Sequence, residues 1–232
     1  MHDRRYDRVV SQPFDQYIKT FLSAYPADCR WDGSPWSVDD TITVLGSEAP
    51  FFSVFLSQFA APSHGSGVLK FLSNASAPTI FHWNSDAGWR SDWRQWRDRL
   101  VVFAYDWNGS LFGFDPARRR GSETLVSILE PDTGELLQTP HSFAEFLAHA
   151  ATDEADAALS IPFYREWLDR GGEAPEPGMC AGCKVPLFLT GSDTIDNLAL
   201  QDLAVYVSLC GQMYTESRKY SPGTKFNRVR IS

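Results

Sequence analysis

Cysteines are few in this 232-residue sequence, and long hydrophobic runs are missing. Its four cysteines, Cys29, Cys180, Cys183 and Cys210, are too sparse for the disulfide framework of a small secreted protein. No apolar stretch approaches the roughly 18 residues that a membrane span needs. Residues 1–8 are charged and are not followed by the apolar stretch of a signal peptide. We therefore expect a cytoplasmic protein that does not enter a membrane.

Motifs of the familiar enzyme classes are also missing. The sequence contains no GxSxG nucleophile elbow, no phosphate-binding P-loop and no GxGxxG dinucleotide motif. The five histidines, at positions 2, 64, 82, 141 and 149, do not have the spacing of a metal site. We therefore expect neither a cofactor nor a metal, and we expect a binding protein rather than an enzyme.

Cys180 and Cys183 form a CxxC pair, a spacing that zinc sites and thiol redox centres both use. A closed zinc site needs four ligands, and Cys29 and Cys210 stand alone in the sequence. A redox CxxC normally begins a helix, whereas the residues that follow here, 184–186, indicate a strand. The pattern predicts no metal at the pair, and a thiol or hydrolytic enzyme is kept as an alternative.

Acidic side chains are concentrated in residues 121–200. This stretch contains 14 acidic and 3 basic side chains, a net charge of −11, whereas residues 1–120 are neutral and residues 201–232 carry +3. Such a stretch repels the phosphates of nucleic acid and attracts a basic protein surface. A well-solvated surface that maintains solubility is the simpler explanation of the charge alone.

Apolar periodicity predicts an α+β fold, with a central antiparallel meander flanked by helices. The predicted helices cover residues 14–22, 50–59, 89–100, 142–149, 152–168 and 202–218. The predicted strands cover residues 41–45, 100–105, 110–115, 124–130, 135–139 and 185–189. Residues 118–120 and 173–184 are predicted to be loops, and residues 65–71 a strand or the edge of a helix.

The clearest local signal is a hairpin around Asn108 and Gly109, a pair typical of a type I′ turn. Asp106 and Asp115 flank this turn. Two carboxylates near one turn could serve acid–base chemistry, but acceptance of hydrogen bonds from turn amides is the simpler expectation.

Trp89, Trp93 and Trp96 recur on one face of the predicted helix 89–100. Such a stripe is more typical of a core or docking surface than of a stacking platform for bases or sugars. A carbohydrate-binding or nucleic-acid-binding module is nevertheless kept as a second alternative.

Several segments together resemble a family of bacterial immunity proteins. They are FAYDWNGSLFGFD at 103–115, LEPDTGE at 129–135, SFAEF at 142–146, VPLFLTGSDTIDNL at 185–198, and residues 206–212. Their order is similar to that in the C-terminal domain of type VI secretion immunity proteins, which neutralise DNase effectors. In that family a GAD-related region precedes the domain. A looser likeness is to the SUKH immunity superfamily.

The resemblance covers residues 80–215. It implies a GAD-related-like N-terminal region, residues 1–79, and a C-terminal immunity-type domain, residues 80–232, or one continuous globule. It also implies a protein that binds a cognate toxin, with a basic-surfaced nuclease as the expected partner, and blocks its active site without catalysis. Because the substrate groove of a nuclease is basic, we expect acidic residues of 121–200 to meet it. The first candidates are Asp153, Glu154, Asp156, Glu173 and Glu176.

Overall fold

The computed structural model describes residues 12–30, 49–74, 79–152 and 159–221. The helices in these ranges are α1 (Gln12–Ala24), α2 (Ala49–Gln58), α3 (Ile80–Trp83), α4 (Phe143–Ala150), α5 (Ile161–Asp169) and α6 (Leu203–Ser217). The strands are β1 (Leu69–Phe71), β2 (Val101–Asp106), β3 (Leu111–Arg120), β4 (Glu123–Glu130), β5 (Glu135–Ser142), β6 (Met179–Cys183) and β7 (Leu198–Asp202). None of the helices in the described part has the length and apolar character needed to cross a membrane.

Five antiparallel strands form the central sheet in the order β1-β2-β3-β4-β5. The predicted α+β class and the meander are confirmed. The loop predicted at residues 118–120 is wrong, because β3 continues through them: Arg119 pairs with Thr124 in the register of β3 and β4. The guanidinium of Arg118 donates to the carbonyl oxygen of Thr139 at 2.7 Å, which ties this extension to β5.

The hairpin between β2 and β3 is confirmed, but its predicted turn type is wrong. A type I′ turn requires positive φ at both central residues. Gly109 has a φ of +94°, whereas Asn108 is not among the described residues with positive φ. The N–H of Gly109 donates to the carbonyl of Asp106 at 3.3 Å, and the N–H of Asp106 donates to the carbonyl of Ser110 at 3.1 Å. The loop therefore has three residues, with glycine at its left-handed position.

Aromatic side chains from helices and strands fill the core on one face of the sheet. Phe52 of α2 lies 5.4 Å from the ring of Phe103 on β2 and 5.2 Å from that of Phe143 on α4, both edge to face. Phe21 of α1 lies 6.0 Å from the ring of Phe55 on α2. Phe21 of α1 and Phe52 and Phe55 of α2 are fully buried, so the apolar faces of these two helices point inward, as the periodicity of the sequence indicates.

The helix predicted at residues 89–100 is wrong. A short 3₁₀ turn, Trp89–Ser91, is followed by further turns as far as residue 99. Trp89 and Trp93 are buried, and Trp96 is half-buried. The indole of Trp93 donates to the carbonyl of Val207 at 2.9 Å, and that of Trp96 donates to the carbonyl of Gly134 at 3.3 Å. The tryptophans are core residues, which confirms the simpler of the two expectations.

A second, two-stranded sheet contains the CxxC pair. Strand β6 lies inside the segment predicted to be a loop, and β7 ends where the last helix was predicted to start. The strand predicted at residues 185–189 is wrong, since a 3₁₀ turn, Leu187–Leu189, takes its place. The N–H of Ala181 donates to the carbonyl of Trp107 at 2.7 Å, which joins this sheet to the hairpin of the central sheet. Helix α6 follows directly and is capped by Asp202, whose carboxylate accepts from the N–H of Val205 at 2.9 Å.

Strand β1 precedes the predicted boundary at residues 79 and 80, and it pairs with β2, which follows that boundary. The buried core also runs through both parts without interruption. The division into two domains stays a prediction. The strand predicted at residues 41–45 lies outside the described residues.

Candidate functional site

A cleft of about 570 Å³ opens where the two hairpin turns of the central sheet meet α5 and the small sheet. Four carboxylates line it: Glu130 at the end of β4, Asp132 in the β4–β5 turn, Glu166 on α5 and Asp193 in the loop before β7. Its apolar walls include Phe163, Leu187 and Leu198. None of the described residues that line the cleft is basic. The cleft therefore presents concentrated negative charge beside apolar surface.

Backbone contacts hold the acidic turn in place. The carbonyl of Asp132 accepts from the N–H of Phe188 at 3.1 Å, which joins the β4–β5 turn to the 3₁₀ turn on the other side of the cleft. The ring of Phe188 lies 5.2 Å from that of Tyr214 on α6. Gly134 closes the turn with a φ of +73°, and a Cβ added there would lie 2.1 Å from the ring of Tyr214. The turn thus needs glycine for its conformation and also for its packing.

The two carboxylates on the central sheet are half-buried and close to other negative charges. Burial raises the pKa of Glu130, and the charge of Asp132 raises it further. Burial also raises the pKa of Asp132, with a further contribution from Asp193. Thr133 opposes these shifts, because its hydroxyl donates to Glu130 at 3.1 Å and its N–H donates to Asp132 at 2.9 Å. A cation entering the cleft would relieve the repulsion between these groups.

The carboxylates of the cleft differ in their ion pairs. Glu166 is paired with Arg170 at 2.6 Å, and Arg170 also lies 3.7 Å from Asp196. Within the described ranges, Glu130, Asp132 and Asp193 form no ion pair. These three residues, called here the free carboxylates, carry the uncompensated charge of the cleft.

Cys180 and Cys183 point to opposite faces of β6, because they are three residues apart on a strand. Cys180 is fully buried, whereas Cys183 lines the cleft, where its thiol lies 3.9 Å from a carboxylate oxygen of Asp132. Burial raises the pKa of Cys183 to about 12, and it raises that of Cys180 as well. The part of the chain that the structure describes contains no group of three or more side chains placed to hold a metal ion. Because their thiols point apart, Cys180 and Cys183 do not form the convergent pair that a CxxC redox centre or a zinc site uses.

A buried lysine and a buried aspartate lie beneath the turn that lines the cleft. Lys70 and Asp106 are 0% and 1% exposed, and the ammonium of Lys70 donates to the carbonyl of Gly67 at 2.5 Å. Burial lowers the pKa of Lys70 and raises that of Asp106, while the attraction between the two groups opposes both shifts. The Asp106 carboxylate accepts from the N–H groups of Ser110 at 2.8 Å and Asn108 at 3.2 Å, as expected for a turn-binding aspartate. Because Asn108 and Ser110 both line the cleft, Asp106 positions that wall.

Asp115 does not share the turn with Asp106, because it has a separate partner. Its carboxylate binds the guanidinium of Arg99 at 2.8 and 3.1 Å. Each aspartate therefore has a structural role.

The structure places the predicted partner-binding residues as follows. Glu173 and Glu176 are exposed on the loop between α5 and β6, and they do not line the cleft. Asp153, Glu154 and Asp156 lie outside the described residues. The free carboxylates were missed as candidates, although they belong to the acidic stretch and to the segments that carry the family resemblance. The sequence could have indicated them, because the acidic stretch and the segments of the resemblance overlap at these positions.

A pair of histidines lies away from the cleft, where β5 meets α4. The rings of His141 and His149 are stacked 4.5 Å apart. Burial and the neighbouring His149 lower the pKa of His141, while Glu145 opposes the shift.

Among the comparisons with known proteins, the comparison with solved structures found a similar fold. No protein-family model matches the sequence, and no curated protein is significantly similar to it. The structure is similar to the crystal structure of Atu4351 from Agrobacterium tumefaciens, with a TM-score of 0.56 over 84% of this chain and 88% of that chain. The two sequences are 9% identical, so the likeness concerns the fold alone.

Proposed function

We propose that this chain is an immunity protein, which binds a cognate nuclease toxin and covers its active site. The observation that carries the proposal is the acidic cleft with its free carboxylates. An inhibitor of a nuclease has to match a substrate groove that attracts phosphates and is therefore basic. A cleft lined by carboxylates and by no basic residue among those described is complementary to such a groove.

The family resemblance supports the same proposal from a separate direction. The cleft has 13 lining residues. Eight of them belong to the segments 103–115, 129–135 and 185–198, in which the resemblance lies. These segments are far apart in the sequence, and the fold brings them to one surface. An inhibitor needs such a surface and no catalytic group.

The two alternative functions have less support. A thiol enzyme needs a reactive thiolate, and burial raises the pKa of both cysteines of the CxxC pair. A stacking platform needs exposed aromatic faces, and Trp89 and Trp93 are 3% and 0% exposed. A binding protein fits these observations better than either alternative does.

The proposal requires that a gene beside this one encodes a nuclease toxin, and the test is coexpression of the chain with that gene product. We expect cells producing both proteins to grow, cells producing the toxin alone to die, and the two proteins to elute together in size-exclusion chromatography. Titration of the purified chain into a nuclease assay should abolish DNA cleavage at an equimolar ratio. Continued killing together with separate elution would refute the proposal.

A further inference from the structure

The small sheet has two faces of different character. In an antiparallel pair, residues directly opposite each other place their side chains on the same face. The register pairs Cys183 with Leu198 and Ala181 with Leu200, so these four side chains share one face. The other face packs against α6, where a Cβ added at Gly182 would lie 2.6 Å from the ring of Tyr206. On the face that carries Leu200, Ala181 and Leu198 are buried, and Leu200 is the side chain that reaches solvent.

The face that carries Leu200 continues directly into the cleft. Ala181, Cys183 and Leu198 line the cleft, and Leu200 lies two residues beyond Leu198 along the same face of β7. The side chain of Leu200 is 37% exposed, whereas Leu198 is 5% exposed. An apolar shelf therefore leads from solvent towards the free carboxylates.

We propose that this acidic-apolar surface, formed by the free carboxylates together with Leu198 and Leu200, receives a segment of the toxin in which an arginine stands next to an apolar residue. The arginine enters the cleft between Asp132 and Asp193, and its apolar neighbour covers Leu200. This inference rests on the proposed function and specifies the chemistry of the toxin segment.

Charge complementarity and the apolar shelf together select a protein segment as the occupant. Three carboxylates without an ion pair attract a cation and repel the phosphates of nucleic acid. A free metal ion is disfavoured, because no convergent group of three ligands exists in the described ranges. A small polyamine would leave Leu200 uncovered.

Arginine fits better than lysine on two grounds. Its planar guanidinium can bind carboxylates in a bidentate manner and can stack on an aromatic ring. Phe163, which is half-buried in the cleft wall, offers such a ring.

The experiment uses the toxin with which the chain elutes in the coexpression test and measures the Kd of the full chain for it by biolayer interferometry. Asp132→Asn removes one free carboxylate, and Leu200→Ser removes the exposed end of the shelf. Glu123→Gln is the matched charge control, since Glu123 is exposed at the β3–β4 turn, at the other end of the central sheet from the cleft. Leu137→Ser is the matched apolar control, since Leu137 on β5 is 39% exposed. We expect each of the two test variants to weaken binding about tenfold or more, the loss typical of an interface anchor. Both controls should stay within about twofold.

Asp193→Asn is a second charge variant, in case Asp132→Asn destabilises the turn. Asp193 is exposed in a loop, so its replacement should leave the urea midpoint unchanged. Tight toxin binding by the parent chain with unchanged Kd values for Asp193→Asn and Leu200→Ser would overturn this inference and leave the proposed function standing. If the charge variants weaken toxin binding and Leu200→Ser does not, the bound segment has no apolar residue on Leu200, and this inference is wrong. A parent chain that binds no toxin would instead remove the proposed function.

Discussion

Lys70 offers the sharpest test of the forces that hold the cleft wall, because it is a lysine with no exposure to solvent. Its ammonium donates to the carbonyl of Gly67 and lies 5.7 Å from the ring centroid of Tyr105. The acidic group that contributes most to its electrostatic environment is Asp106, which itself is 1% exposed. We predict that Lys70→Met destabilises the protein by about 3 kcal/mol, the lower end of the range for leaving a buried charge without its partner.

The magnitude follows from what the substitution leaves behind. Lys70 and Asp106 attract each other, although they do not form a direct ion pair. Removing one partner of a close buried pair costs about 3–5 kcal/mol, because the other charge stays buried without compensation. Methionine replaces most of the apolar stem of Lys70, so the cavity term is small. Asp106 keeps its hydrogen bonds from Ser110 and Asn108, and it can also take up a proton, because burial raises its pKa to about 8. Both effects place the expected cost at the lower end of the range.

The assay is urea unfolding at pH 7, followed by the fluorescence of the eight tryptophans. Lys19→Met is the matched control, since Lys19 is exposed on α1 and the same substitution there should change stability by less than about 0.5 kcal/mol. Asp106→Asn and the double variant complete a thermodynamic cycle. We expect a coupling energy between the two sites of about 1–3 kcal/mol. A cost below about 1 kcal/mol for Lys70→Met, with additive effects in the double variant, would refute this reasoning.

Three further predictions concern other parts of the structure. Gly134→Ala should lower the free energy of unfolding in urea by about 1–3 kcal/mol, because the added methyl group overlaps the ring of Tyr214 and the residue has positive φ. An unchanged urea midpoint would contradict the packing described. With Ellman's reagent at pH 8, the exposed Cys29 should react at once and Cys183 only after urea is added, because burial raises the pKa of Cys183 to about 12. The pKa of His141 is lowered in the folded state, so the unfolded state takes up a proton at this residue more readily. The folded state therefore loses stability as the pH falls below about 6.5, the ordinary pKa of histidine. The melting temperature of the parent chain should therefore fall more between pH 7 and pH 5 than that of His141→Gln, and equal falls would contradict this prediction.

The sheet could be predicted from the sequence where local chemistry decides the structure. The turn at residues 131–134 has proline, aspartate and glycine where a turn requires them, and the structure places β4 and β5 on either side of it. Helix α4 begins at Phe143, next to its predicted start at residue 142, where the Glu145 carboxylate accepts from the N–H of Ser142 at 2.9 Å. Interactions over three or four residues fix such features, and the sequence displays them directly.

The segments that were predicted wrongly depend on distant partners. The spacing of the tryptophans at 89–96 is compatible with a helix, but the indole of Trp93 binds a carbonyl 114 residues away, and the indole of Trp96 binds one 38 residues away. Strand β6 contains no β-branched residue, and it is extended because it pairs with β7 on one side and meets the carbonyl of Trp107 on the other. No local pattern contains this information.

The sequence also does not show which acidic residues remain without an ion pair, and the candidate site depends on that distinction. The acidic stretch at residues 121–200 was evident, yet part of its charge has structural partners. Glu145 pairs with Arg120 at 2.6 Å, Glu123 pairs with the same guanidinium at 3.1 Å, and Glu166 pairs with Arg170. Only the folded chain separates these from the free carboxylates, which lie up to 63 residues apart in the sequence, at positions 130 and 193.

This separation of compensated from free carboxylates has a consequence for how binding should depend on salt. Charges on the exposed surface are screened beyond about 8 Å at physiological ionic strength, so they act mainly on the rate of association. Asp132 is half-buried and already repelled by its neighbours, so a cation bound to it is shielded from salt and relieves that repulsion. Glu173 and Glu176, as exposed loop residues, can contribute only the salt-sensitive part. If the cleft holds the toxin, the dissociation rate should therefore respond to Asp132→Asn at every salt concentration, whereas neutralising Glu173 and Glu176 should slow association at low salt alone.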